Sequence, residues 1–536
     1  MNTTNLSRRD FLRLVGFGGA AMVLNKPIGL LNLHSFSPAH SRAQTQMDPF
    51  MPDAEIAKTA APRSVQILPG AQTQVWSYTG ELLNGSGVTV QNLPGCYLGP
   101  ILRARSGTKI RIYFNNNLAE DSVVHPHGLN VPEDCDGQPM QAIGPGETKI
   151  YDFQILDRAG PYWFHPHPMG RTAEQVVMGL AGLFYVWDDE EQIAVPGAST
   201  GANDVPVIIQ DRNFDSNNQF LYNPNMLWGY LGNRILVNGT PNAVMSLEPR
   251  AYRLRILNGS NARTYKLAWS NGTPLKVIGT DGGLLPAAVS KSYVMLMPGE
   301  RVDVWADFSS LARKQVVLRS LSFNAGGMMG GGGGMGGGGM GGGGMGGGGM
   351  MGSTLTNGAA FNILTVNVGR KATVTPALGP LPPLSVEYNA GNVPNFANPV
   401  PFTLEMGRMM TWTINGRVYE PDVVADDEMV FRGEPIAWEW INNSSIPHPM
   451  HIHCVMFQVL QRTPPASLSS YNTANQGFLD TGWKDTVIVW PGERVKIAMT
   501  FEPYTGMYMY HCHILEHEDM TMMRNLMVMD PMMPGM

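Results

Sequence analysis

Pro-Gly-Glu occurs three times, at Pro145-Gly146-Glu147, Pro298-Gly299-Glu300 and Pro491-Gly492-Glu493, and each copy runs into an alternating apolar and polar stretch: TKIYDF, RVDVWADF and RVKIAMTF. A turn feeding a period-two segment is a β-strand signal, and its threefold return is an internal repeat. Another alternating strand ending in asparagine stands upstream of each copy, over Ile110 to Asn117, Tyr252 to Asn258 and Ile436 to Asn443. With frequent Gly and Pro turns and scarcely any helical periodicity, the chain reads as all-β, one Greek-key β-sandwich per copy. The expected divisions are 44–195, 196–371 and 401–536, with 372–400, rich in Pro and Asn, as a linker.

Repeats one and three share more than the second does. Twenty residues separate Pro145 from His165 and also Pro491 from His511, and the segments from Gly160 to His167 and from Gly506 to His513 align position by position. At the matching place in repeat two stand Leu318, Arg319 and Ser320. Metal chemistry is therefore expected in the first and third units, with the middle one a spacer or part of a substrate route.

Ten of the 12 histidines fall into four clusters: His125-Pro-His127-Gly128, His165-Pro-His167, His448-Pro-Met-His451-Ile-His453, and His511-Cys512-His513 continuing to His517 and Met522. The other two, His34 and His40, precede residue 44. A lone buried histidine is usually a satisfied core residue, but four His-x-His pairs with almost none spare are not explained that way. Residues two apart on a strand share a face, so each pair presents two imidazoles to one metal cluster. Eight nitrogens suit three metals with open positions. Cys512, between His511 and His513, points the other way, and His448, three residues before His451, has opposite strand parity. A second metal would thus gather Cys512, His448, His517 and, as a further candidate, Met522. Two imidazoles, a thiolate and a weak thioether are the ligand set of a blue-copper electron-transfer site. Zinc competes on ligand type alone, but a closed zinc site has no use for a neighbouring eight-histidine cluster. An electron entering at the blue site would pass through Cys512 into His511 or His513 and so reach the cluster, letting four single-electron steps reduce dioxygen completely.

The motifs HPHG, HPH, HPMHIH and HCHILEHEDMTM resemble those of the three-domain multicopper oxidases, closely the bacterial branch of laccases and cuprous oxidases, and the resemblance covers essentially all of the chain after residue 43. It implies three cupredoxin-like sandwich domains and four copper ions. His448, Cys512, His517 and Met522 resemble the type 1 ligands, and His125 and His451 the type 2 ligands. His127, His165, His167, His453, His511 and His513 resemble the ligands of the two type 3 coppers. Asp136 and Glu518 match acids that in relatives supply or relay protons, which makes them catalytic candidates together with Cys512. Alternatively, Asp136 is a turn residue and Glu518 orients a ligand. The implied reaction oxidises Cu(I), other reduced metal ions, phenols or aromatic amines with O2 as acceptor. A laccase acting mainly on organics shares every ligand. A copper-free scaffold of the same repeats should show eroded motifs, and none of the four is eroded. One departure concerns the substrate: where cuprous oxidases carry an acidic residue and a methionine before the third motif, this chain has Ser444-Ser445-Ile446-Pro447.

Residues 1–43 read as a twin-arginine export signal, with Ser7-Arg8-Arg9-Asp10-Phe11-Leu12-Arg13, a short apolar run from Leu14 to Leu24 and a cleavage-like Ser41-Arg42-Ala43. That implies the twin-arginine machinery as a partner and a periplasmic or extracellular location, because this route carries folded, cofactor-loaded proteins. No later run reaches the roughly 18 apolar residues of a membrane span, so no membrane anchor is expected. The formal net charge of −6 with scattered Lys and Arg carries no electrostatic footprint for nucleic acid. A monomer is expected. The cysteines Cys96, Cys135, Cys454 and Cys512 specify no pairing. Residues 326–352, glycine interrupted by seven methionines, cannot build a core and are expected to form a loop joining strands near Val316 to Phe323 and Phe361 to Val368. Thioethers suit cuprous ions, so this loop, with the methionine-rich stretch from Met520 to Met536, is a candidate Cu(I) carrier; a repeat-expanded linker is the alternative.

Overall fold

The computed structural model describes residues 50–93, 95–326, 355–370 and 374–531. The expected leader at 1–43, nearly all of the 326–352 segment, and Met532, Met533 and Met536 lie outside the described residues.

Strands form six sheets among the described residues, in three pairs that follow the chain. One sheet of each pair is centred on the repeated unit. There the asparagine-ended strand (Lys109–Asn116, Ala251–Asn258, Ile436–Asn442) lies antiparallel to the strand after Pro-Gly-Glu (Thr148–Gln154, Arg301–Asp307, Arg494–Met499). On its other side it lies parallel to an earlier strand (Ala54–Val65, Asp204–Arg212, Val400–Met406). The repeated letters have a physical reason. Asn116, Asn258 and Asn442 are fully buried, and each Nδ2 donates to two backbone carbonyls at 2.8–2.9 Å. Each asparagine carbonyl accepts from the glycine N–H of its Pro-Gly-Glu turn, at 2.7, 3.0 and 2.8 Å. Those glycines sit at φ of 80°, 84° and 73°, the left-handed region that a β-carbon disfavours.

The second sheet of each pair has Gly160–Pro166, Gln315–Ser320 or Gly506–Cys512 as an interior strand, with neighbours on both sides. The pair Gln315–Ser320 and Phe361–Val368 is antiparallel, as expected for strands joined through 326–352. One expectation is corrected here. The methionine-rich stretch after Met520 is no free tail up to Met529, because Met523–Met529 is a strand between Gly506–Cys512 and Met429–Phe431, with Met522 and Met523 buried. Each sandwich has its own apolar core, and that of the third holds Trp412, Trp438, Trp440 and Trp490 at 0% exposure. A fully buried large apolar side chain contributes roughly 1.5–3 kcal/mol, which lets the sandwiches stand with all four cysteines unpaired. No helix among the described residues is long and apolar enough to cross a membrane.

Lys58 is the exception inside the first core. It is 3% exposed, with its ammonium 3.5 Å from the Phe164 ring centroid among Ile112, Phe114 and Phe153. Burial lowers its pKa from 10.5 to about 7. Below pH 7 folded and unfolded chains both carry the charge and the folded state bears its whole desolvation cost. Between about 7 and 10.5 the folded chain sheds the proton first, so this contribution to stability rises with pH. Lys58→Met should therefore raise the thermal midpoint more at pH 6 than at pH 9; equal gains at both would show that the lysine is not titrating there.

Candidate metal centres

Strand register brings the histidine motifs together in pairs. His125 lies opposite His165 where Val124–His125 meets Gly160–Pro166, and His451 lies opposite His511 where His448–Ile452 meets Gly506–Cys512. The His-x-His pairs straddle strand ends, so the chain beyond each end can steer the second imidazole independently. Pairs are accordingly split. His165 groups with His127 and His513, whereas His167 groups with His453 and His511, and His125 lies with His127 and His451. Eight imidazoles from the first and third units thus form one buried cluster, and in three of the four pairs, all but His125 and His127, the two members fall in different groups.

The unpaired atoms say what the cluster is for. His125 Nε2, His165 Nε2 and His451 Nε2 are buried without a hydrogen-bond partner, a condition few buried polar groups show. Elsewhere ring nitrogens face each other directly: His453 Nε2 to His511 Nε2 at 3.1 Å, His167 Nε2 to His511 Nε2 at 3.4 Å, and His127 Nδ1 to His513 Nε2 at 3.2 Å. Nitrogens bound to one ion at roughly 2 Å stand about this far apart. Four of the outward nitrogens are tied down by backbone carbonyls. His125 Nδ1 meets Asp136 O at 2.7 Å, His165 Nδ1 meets Pro166 O at 2.8 Å, His451 Nδ1 meets Asp485 O at 2.9 Å, and His511 Nδ1 meets Cys512 O at 3.1 Å. A neutral imidazole that donates outward keeps its lone pair inward. Burial holds His127, His165, His167, His453, His511 and His513 well below the usual histidine range, so they are uncharged and ready to ligate.

Cys512 does turn away from the cluster. His448 Nδ1 is 3.3 Å and His517 Nδ1 3.6 Å from its sulfur, while the Ile514 N–H points at that sulfur from 3.4 Å. His517 Nε2 meets Leu227 O at 3.0 Å, and His448 Nε2 meets Ser444 Oγ at 2.8 Å. The serine that departs from the cuprous-oxidase pattern is thus a partner of His448. Met522 is buried in the same core, its carbonyl accepting from the Cys512 N–H at 3.1 Å. Burial pushes the Cys512 thiol up, so a cation is what would hold it as thiolate. Three soft or borderline donors converging in an apolar shell suit copper.

Both acids sit against cluster imidazoles. Asp136 Oδ2 is 2.9 Å from His453 Nδ1. Glu518 lies 3.4 Å from His167 Nδ1 and 3.3 Å from His511 Nδ1, near but not aligned as a hydrogen bond. Burial, with Asp519 alongside, raises the Glu518 carboxyl well above its ordinary value. Asp136 closes a short helical turn, Glu133–Cys135, so the turn role and the histidine contact coexist.

Sequence reasoning missed Asp485, whose Oδ1 is 3.1 Å from His127 Nε2, and Thr486, whose hydroxyl lies 3.4 Å from the same nitrogen. The only signal was a polar Lys484-Asp485-Thr486 leading into the apolar strand Thr486–Val489. The spacer reading of the middle unit is also incomplete. That unit supplies no histidine, yet a β-carbon on Gly299 would come within 2.9 Å of the His513 ring, and Arg301 bonds Asp485 at 2.6 Å. Its Pro-Gly-Glu turn is part of the cluster wall.

Two family models described as multicopper oxidase match residues 68–191 and 394–532. The multicopper oxidase McoA of Aquifex aeolicus is 34% identical, with a TM-score of 0.72 over 89% of this chain and 97% of that one. A laccase of Bacillus subtilis is 30% identical over 86% of this chain and 91% of its own length. A Campylobacter jejuni multicopper oxidase described as a metallo-oxidase is 26% identical, with a TM-score of 0.69 over 88% of this chain and 91% of that one. Removing the carboxylate behind His453 with Asp136→Ala should weaken metal retention roughly 10–100-fold, read as metal per chain after dialysis against a graded chelator; wild-type retention would show that His453 needs no such anchor.

Proposed function

Because the chain belongs to the multicopper oxidases, with copper as its cofactor, we propose that it couples one-electron oxidation of Cu(I) or other low-valent metal ions to four-electron reduction of O2 to water. The observation that carries this is Cys512: its sulfur faces His448 and His517, while its chain neighbours His511 and His513 face the cluster. His448, Cys512 and His517 with Met522 would hold the type 1 copper, His125 and His451 the type 2 copper, and His127, His165, His167, His453, His511 and His513 the type 3 pair, four ions in all. Bound there, copper supplies one-electron redox chemistry and an oxygen-binding centre. The chain supplies the rest. Cys512 joins the two centres covalently, so an electron need cross only one residue of backbone to reach a cluster imidazole. Asp136 and Glu518, each against a ligand imidazole, are placed to hold and pass the protons that make two waters from dioxygen. The apolar shell of the third core keeps bulk water from Cys512.

Support for a metal-ion substrate lies around Trp412, whose ring is 4.3 Å from that of His517. Exposed methionines border it: Met226 at 53%, whose carbonyl accepts from Trp412 Nε1, Met410 at 45%, and Met406 at 36%, paired opposite Trp412. The glycine and methionine segment departs from the described chain at Gly326, where a side chain would fall 2.8 Å from the Ser445 carbonyl, three residues before His448. Its root is therefore beside the electron entry site, as a Cu(I) carrier requires. A twin-arginine export route to the periplasm or exterior, and a role in copper tolerance, complete the proposal. A laccase acting mainly on phenols is the second reading, favoured by the B. subtilis relative and by Ser444-Ser445 before the third motif.

Oxygen uptake by the copper-loaded protein should show a higher kcat/KM for Cu(I) than for a phenol. Met226→Leu with Met410→Leu, and separately deletion of 327–352, should raise the KM for Cu(I) severalfold with phenol kinetics unchanged. A higher kcat/KM for the phenol would make the protein a laccase, and no change in Cu(I) kinetics after the deletion would make the segment a linker.

A further inference from the structure

His127 approaches the cluster the other way round from its neighbours. A neutral imidazole has one N–H, and the nitrogen that donates it is lost to a metal. Asp485 Oδ1, which as a carboxylate oxygen accepts, lies 3.1 Å from His127 Nε2, leaving Nδ1 to face His513 Nε2 at 3.2 Å. The backbone carbonyl of the same residue accepts from His451 Nδ1 at 2.9 Å and leaves His451 Nε2 unpartnered on the cluster side. The two rings stack with centroids 3.8 Å apart and planes 10° off parallel. One residue thus sets the tautomers of two stacked histidines, one from the first unit and one from the third.

Asp485 is in turn held by the middle unit. Arg301 Nη1 donates to Oδ1 and Nη2 to Oδ2, both at 2.6 Å. The remaining donors of the guanidinium go to Pro161 O at 2.9 Å, Gly299 O at 3.1 Å and Asp281 O at 3.0 Å. A guanidinium has five N–H groups in a planar fork, and all five are used here. Free space is absent as well. A β-carbon on Gly128 would fall 2.5 Å from Asp485 Oδ2 and 2.9 Å from Arg301 Nη2, and one on Gly299 would meet the His513 ring. Arg301 is 1% exposed and Asp485 fully buried.

We propose that Arg301 and Asp485 are a positioning pair, through which the middle unit sets the ring orientations of His127 and His451 and so the geometry of the metal cluster. The pair touches neither substrate nor oxygen and acts through the two histidines. The inference rests on the copper assignment above.

The test uses full-length, copper-loaded wild type, Asp485→Asn and Arg301→Lys. An asparagine that keeps its oxygen toward His127 sets its NH2, itself a donor, against Arg301 Nη2, and a lysine keeps the charge while losing the fork. Copper per chain, its release rate to a chelator and the copper EPR spectrum report the cluster, while visible absorption of cysteine-bound copper and the thermal midpoint of metal-free protein report the rest of the molecule. Both variants should release cluster copper roughly 10–100-fold faster with an altered EPR spectrum, while the cysteine-site absorption and the metal-free midpoint change little. Wild-type release and EPR in Asp485→Asn would overturn the proposal. So would losses at the cysteine site and in the metal-free midpoint that match those at the cluster, since that is damage to the fold. Wild type that takes up no cluster copper would instead overturn the copper assignment on which the pair depends.

Discussion

Ten imidazoles lie buried here, and each can turn only one lone pair inward. Everything at the two centres follows from that restriction. Burial keeps the rings neutral, neutrality leaves one N–H per ring, and the protein decides where that N–H points by placing an acceptor behind it. Most of those acceptors are backbone carbonyls, which cost no side-chain entropy to hold in place. Carboxylates stand behind three others: Asp485 behind His127, Asp136 behind His453, and Glu518 beside His167.

The same restriction explains how the two centres stay distinct within a few residues of chain. Strand alternation turns Cys512 from its neighbours, and the outward nitrogens of His448 and His517 are taken by Ser444 and Leu227. Ser444, which departs from the cuprous-oxidase pattern, thus takes part in holding His448.

What could be read from the letters alone has a physical boundary. The Pro-Gly-Glu turns, the alternating strands and the His-x-His spacing are local in sequence, and the threefold sandwich and the histidine cluster were legible from them. The closing role of Asn116, Asn258 and Asn442 was visible only as a recurring letter, because its carbonyl partners lie outside its own strand. The choice of Nδ1 at His127 was illegible, since Asp485 stands 358 residues away in the chain. So was the part of Arg301, because a charged residue inside a strand reads as an ordinary solvated position until its burial is known. Met523–Met529 misled for the opposite reason: composition suggested a metal-binding tail where an almost continuously buried run made a strand.

Each set of three cluster imidazoles grouped by proximity, apart from those paired with an acid, draws on both the first and the third unit. During synthesis the first unit therefore leaves the ribosome with only its own four histidines, and the eight-imidazole cluster is complete only once His513 has been made. A chain that stops short of the third unit thus carries no more than two imidazoles of any one group.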